Sequence, residues 1–193
     1  MKRSTIILLL CLVLFVAFVI SISSSLTQKY NQMVVAQEEV EKILSDLHIA
    51  LQRRGDLIPN LVNTVKGQSS HELAVINSVT AARTKLVNAN TVEEMSEANN
   101  QLSSSLKMLM LNVTENYPEI ESSEAFKRFE DQLAGTENRI AVARRDYNET
   151  VQNFNLLIKK FPNSILAGMF GFEKAEYFEA NESSMEAPDV SFE

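Results

Sequence analysis

The sequence predicts an all-α protein: one N-terminal transmembrane helix followed by an antiparallel bundle of four long helices, running up, down, up and down. Three observations predict it. An apolar run opens the chain, apolar residues then recur at alternating three- and four-residue spacings, and breakers are scarce. Glycine and proline total nine among 193 residues, of which 45% are hydrophobic and 22% charged. Such a composition favours long helices over a many-turned β fold.

The anchor comes first. Lys2 and Arg3 precede an apolar run from Ile6 to Ile22 that only Ser21 interrupts. At about 1.5 Å per residue this run is roughly 25 Å long, and Ser23–Leu26 complete a span of about 30 Å. A cleaved secretory signal is the rival reading, with Ser21-Ile22-Ser23 and Ser23-Ser24-Ser25 as passable exit sites. The uncleaved anchor is preferred. Basic residues before the span keep the N-terminus cytoplasmic and place the bundle on the outer side.

The bundle follows in four stripes. Tyr30, Met33, Val40, Leu44, Leu47, Leu51, Ile58, Leu61 and Val65 form the first, with Gln37 and Arg54 in its register. Leu73, Ile76, Val79 and Leu86 form a shorter second, and Val92, Met95, Leu102, Leu106, Leu109 and Val113 a third that includes Asn99. Phe126, Leu133, Ile140, Tyr147, Phe154 and Phe161 recur every seven residues in the fourth. Stripes of this kind must be buried against one another.

The punctuation sets helices near residues 27–66, 69–88, 92–116 and 120–161. Thr91-Val92-Glu93-Glu94 is a capping box, and Asn116-Tyr117-Pro118 and Pro162 are stops. Gly55 and Pro59 predict a kink or short break in the first helix. The resulting domains are the anchor 1–26, the bundle 27–172 and an acidic tail 173–193 expected to be disordered. The apolar stretch Ile165–Phe172 is surplus to the bundle: it either caps the bundle's open end or touches the lipid interface or a neighbouring protomer.

Charge and cysteine content exclude several function classes. The net charge is −7, and seven acidic residues against Lys174 put −6 of it after Phe172. Without a basic stripe, nucleic acid is not an expected partner. Cys11 is the single cysteine, so one chain builds neither a disulfide nor a thiolate metal site. His71-Glu72 begins like a zinc-protease motif, but Val75 stands where a second histidine belongs. Ser45 and Gln68, three residues before His48 and His71, are not the glutamates a di-iron bundle needs. No cofactor, metal or enzymatic activity is expected.

The densest polar cluster is Arg53, Arg54, Asp56 and Asn60 on the first helix, joined by Asn63 and Lys66. Its counterpart on the fourth is Glu137, Arg139, Arg144, Arg145 and Asn148, with Asn138. A buried Arg54 requires an acidic partner, which Glu137 or Asp56 can provide. The cluster is then a polar layer fixing helix register, or a site where paired arginines grip an anion or a protein partner.

Leu51-Gln52-Arg53-Arg54-Gly55-Asp56-Leu57-Ile58-Pro59-Asn60-Leu61-Val62, then Val65-Lys66-Gly67 and His71-Glu72, resembles the signature of the LemA family. So do Gly135-Thr136-Glu137-Asn138-Arg139-Ile140, Ala143-Arg144, Tyr147-Asn148, Phe161-Pro162, Gly171-Phe172 and Tyr177-Phe178. The matching blocks run from Tyr30-Asn31 to the tail. Leu44, His48, Gly55 and Gln68 depart from the residues usual in that family. The resemblance implies a bacterial envelope protein with one membrane helix and a helical bundle, and it implies no reaction. The expected role is structural or interactive, with an unknown protein partner and scope for self-association. Anion sensing at the Arg-rich layer is the alternative.

Overall fold

The computed structural model describes residues 3–66 and 73–179. The expected helix start at residue 69, His71 and the tail beyond residue 179 lie outside the described residues. Among those described there are six helices and no strand: α1 (Arg3–Lys66), α2 (Leu73–Asn88), α3 (Val92–Asn116), α4 (Pro118–Glu121), α5 (Glu124–Lys159) and α6 (Asn163–Phe170). The protein is all-α. It divides into two compact units: α1 as far as Glu41 with Gln152–Ala175, and Lys42–Val151 with the residues from Glu176.

In the first unit, the opening part of α1 is long and apolar enough to cross a membrane. None of its most apolar window is buried within the protein. Ser24 and Thr27 return their hydroxyls to the carbonyls of Ser21 and Ser23, so these two side chains satisfy their donors within the helix. Met33, Val40, Phe154, Ile158, Leu166 and Ala167 bury the apolar interior of this unit. Gln37, placed in the seam by its spacing, is exposed, and so is Phe161. Where a surplus stretch was expected, α6 folds; it ends at Gly171, whose φ of 76° is the left-handed conformation glycine adopts without strain.

In the second unit the seams are buried as their spacing requires. Leu47, Leu51, Ile58 and Leu61 of α1, Ile76 and Val79 of α2, Leu102, Leu106, Leu109 and Val113 of α3, and Phe126 and Ile140 of α5 are all nearly inaccessible. Each such side chain contributes about 1.5–3 kcal/mol. The capping box forms at Thr91, whose hydroxyl accepts the Glu94 amide while the Glu94 carboxylate accepts those of Asn90 and Thr91. These bonds hold the Glu94 carboxyl below its ordinary pKa, so its contribution is present at neutral pH and lost on acidification.

Three expectations need correction. Of the kink or short break expected at Gly55 and Pro59, the break is absent, because α1 runs through both. Pro59 has no amide to offer the Gly55 carbonyl, which instead accepts the Arg83 Nε at 3.0 Å from α2. The helix expected at 120–161 is interrupted at Ser122-Ser123, where the Ser123 hydroxyl accepts the Phe126 amide and starts α5.

Third, the tail does not begin at residue 173. Glu173–Glu179 run as an extended segment tied to the helices. Within the first unit, the Asn155 amide donates to the Ala175 carbonyl and accepts its N–H, both at 2.9 Å. Within the second, Asn148 does the same for Phe178, at 3.0 and 2.9 Å, and the Phe178 ring is fully buried. The Tyr147 hydroxyl donates to the Glu176 carbonyl, and the Ser96 hydroxyl to that of Glu179.

Burial and the neighbouring Glu176 carboxylate push the Tyr147 phenol up to about 12. Because its folded pKa lies above the ordinary 10.0, the stabilisation is complete below about pH 10 and disappears as pH rises towards 12. Phe178→Ala is expected to cost about 3 kcal/mol in denaturant unfolding. It should also return Tyr147 towards its ordinary titration, read from the chemical shift of its labelled ring. An unchanged titration would mean that the segment does not cover Tyr147.

Candidate functional site

The centre of the predicted polar cluster is Arg54, and its position follows from the first seam. It stands three residues after Leu51 and four before Ile58, so the register that buries those side chains carries Arg54 inward with only 2% of its surface exposed. A guanidinium so placed requires hydrogen-bond acceptors. Its Nη1 donates to Asn99 Oδ1 of α3 at 2.9 Å, and its Nη2 meets Glu137 Oε2 of α5 at 3.0 Å. One side chain thereby joins three helices. Nε is buried without a hydrogen-bond partner. Burial pulls the Arg54 pKa below its ordinary value, and the Glu137 carboxylate opposes that shift.

Of the two acidic partners considered from sequence, Glu137 is the one engaged, and Asp56 is exposed. Arg53 and Asn60 are exposed as well. Arg53 and Arg54, adjacent on one helix, diverge by about 100° and do not form a common fork. On α5, Arg139 and Arg145 are exposed, Arg144 is half-buried, and Arg145 meets the neighbouring Asp146 at 3.3 Å. Asn148 belongs to the clamp on Phe178. The structure thus brings together Arg54 and Glu137 and distributes the other predicted residues over the surface and the clamp.

Asn99 is the member that the cluster drawn from sequence omits. Its signal is a polar residue within the apolar register of the third stripe, the same signal that marks Arg54. Asn99 is 4% exposed, and its side-chain oxygen takes one end of the guanidinium. Arg83, which rescues the Gly55 carbonyl, has no comparable signal in the sequence.

Outside this layer, a surface groove on the second unit is lined by Ile43 and Asp46 of α1 and by Gly135, Asn138, Arg139, Val142, Ala143 and Asp146 of α5. Gly135 and Ala143 supply no bulk, which leaves the groove open between flanking charges. Val142 presents its apolar side chain there.

The layer predicts an ordering of stabilities. Asn99→Leu leaves a buried guanidinium end unanswered and should cost about 1–3 kcal/mol. Glu137→Gln should cost less, under about 1 kcal/mol, because that carboxylate is 57% exposed and screened by solvent. Arg54→Met removes the charge together with its demands and should be close to neutral. Urea unfolding of the three variants tests the order; an Arg54→Met loss exceeding that of Asn99→Leu would contradict it.

The LemA family model matches residues 43–192 of the chain. Similar proteins include magnetosome protein MamQ 2 of Paramagnetospirillum magneticum, 28% identical over 87% of this chain and 71% of the relative. Magnetosome protein MamQ of Magnetospirillum gryphiswaldense is 25% identical over 88% and 71%. Protein LemA of Metamycoplasma hominis is 24% identical over 83% and 74%.

Proposed function

The chain belongs to the LemA family, and from that premise we propose that it is a structural or interaction protein of a bacterial envelope, without a reaction of its own. In this reading the N-terminal helix holds the protein in the membrane, and Lys2 and Arg3 keep its start cytoplasmic. The polar surface beyond the anchor engages a protein partner on the extracytoplasmic side.

One observation carries the reading. The side chain best suited to grip a ligand, Arg54, is closed over by Asn99 and Glu137. Arg54, the centre of the densest polar cluster, therefore serves the bundle's interior. The exposed features left for another molecule are Arg53, Asp56 and Asn60 on α1 and the groove around Arg139 and Val142. Anion sensing is less favoured, since it would require the internal ion pair to open and adjacent arginines to converge.

Photocrosslinking in intact membranes tests the proposal, with a photoreactive residue replacing Val142 in the groove and a second replacing Asn60. A reproducible adduct with a different protein is expected. Self-adducts alone, or none at either position, would overturn the partner reading. For the alternative, inorganic phosphate should raise the melting temperature of the wild-type protein and not that of Arg54→Met. Equal shifts in both would remove Arg54 from any anion site.

A further inference from the structure

The first unit leaves an apolar face uncovered beside the membrane anchor. Its helix α6 buries Asn163, Leu166 and Ala167 on one side. Ile165 and Met169, four residues apart, stand on the other and are 57% and 72% exposed. Phe161, just before α6, is 81% exposed. A short helix this apolar on its free side has an unfavourable contact with water along that whole side.

Its position is fixed by three aromatic rings. Phe170 and Phe172 pack edgewise on Tyr30 of α1, with ring centroids 4.8 and 5.8 Å away. Tyr30 stands four residues after Leu26, where the span ends, and is therefore about 6 Å further along the helix. That is the depth of the headgroups, where tyrosine is favoured. Lys159 and Lys160 precede α6, and both are exposed. Cationic side chains flanking an apolar helix face at this depth match an anionic lipid surface.

We propose that α6 is a second, interfacial membrane contact: its Ile165–Met169 face, with Phe161, enters the headgroup region of the leaflet from which α1 emerges. The occupant of the face is lipid. This contact is continuous with the transmembrane anchor and does not depend on any protein partner.

The chain has no tryptophan, so a single introduced one reports its own surroundings. Full-length Met169→Trp is reconstituted into phosphatidylcholine–phosphatidylglycerol vesicles with and without lipids brominated near the top of the acyl chain. Phe15→Trp, inside the apolar segment, and Met108→Trp, exposed on α3, are the references. The expected result is blue-shifted emission from Met169→Trp that brominated lipid quenches at least twofold, while Met108→Trp stays unquenched. Quenching of Phe15→Trp alone, with Met169→Trp emitting as in water, would overturn the interfacial contact while leaving the anchor intact. Blue-shifted but unquenched emission would also overturn it, and would assign the face to a second copy if the shift grew with protein density. Loss of quenching in Phe15→Trp would remove the anchor and this contact together.

Discussion

A guanidinium taken out of water has to be answered where it lies, and the rest of the bundle is arranged around that demand at Arg54. Asn99 and Glu137 reach it from α3 and α5. Apolar seams alone tolerate a shift by one heptad, because leucine against leucine is nearly indifferent to which leucine it meets. A directional donor with two matched acceptors is not indifferent. A heptad slip of either helix would leave the charge buried and unanswered. The polar layer therefore distinguishes one alignment from its neighbours, while the seams supply most of the cohesion.

The same logic of supplying what the backbone lacks recurs a turn later. Pro59 sits inside a helix that should suffer from it, yet α1 continues. The missing amide leaves the Gly55 carbonyl short of a donor, and Arg83 brings one from another helix. Gly55 faces α2: a Cβ there would lie 3.4 Å from a Val87 methyl and 4.0 Å from Arg83, ordinary contact distances. Sequence alone shows the irritant, a proline after a glycine. The remedy depends on a residue 28 positions away whose identity, arginine, is common on helix surfaces.

That contrast explains how much of the molecule was legible. Helix positions followed from apolar spacing, since periodicity reports directly on which face is buried, and the Thr91 cap followed from local hydrogen-bond chemistry. Arg54 was legible for the same reason: a charge in an apolar register announces its own burial. Its partner was legible only as a choice between Glu137 and Asp56, and Asn99 was passed over although it carried the same signal. The interruption at Ser122-Ser123 was hidden because serine is unremarkable within a helix until its hydroxyl caps a new one. The order in Glu173–Glu179 was hidden more deeply. The acidic composition argued for solvation, and the asparagines that hold the segment look like any polar residues on a helix.

Those asparagines hold main chain, and each does so with both ends of its amide. An amide side chain offers a donor and an acceptor in the geometry of a neighbouring strand, so Asn148 and Asn155 each act as one rung of a β-ladder on an α-helical surface. Recognition of this kind is blind to side-chain identity. Between Ala175 and Phe178, Glu176 contributes its carbonyl to Tyr147, and the side chain of Tyr177 is exposed. The side chain displayed at Tyr177 is therefore free to drift, in charge or in size, whereas the Glu176 carboxylate bears on Tyr147. A protein that needs to alter what its surface presents without refolding has such a place here, beside a buried Phe178 ring and on main chain held by the atoms every residue shares.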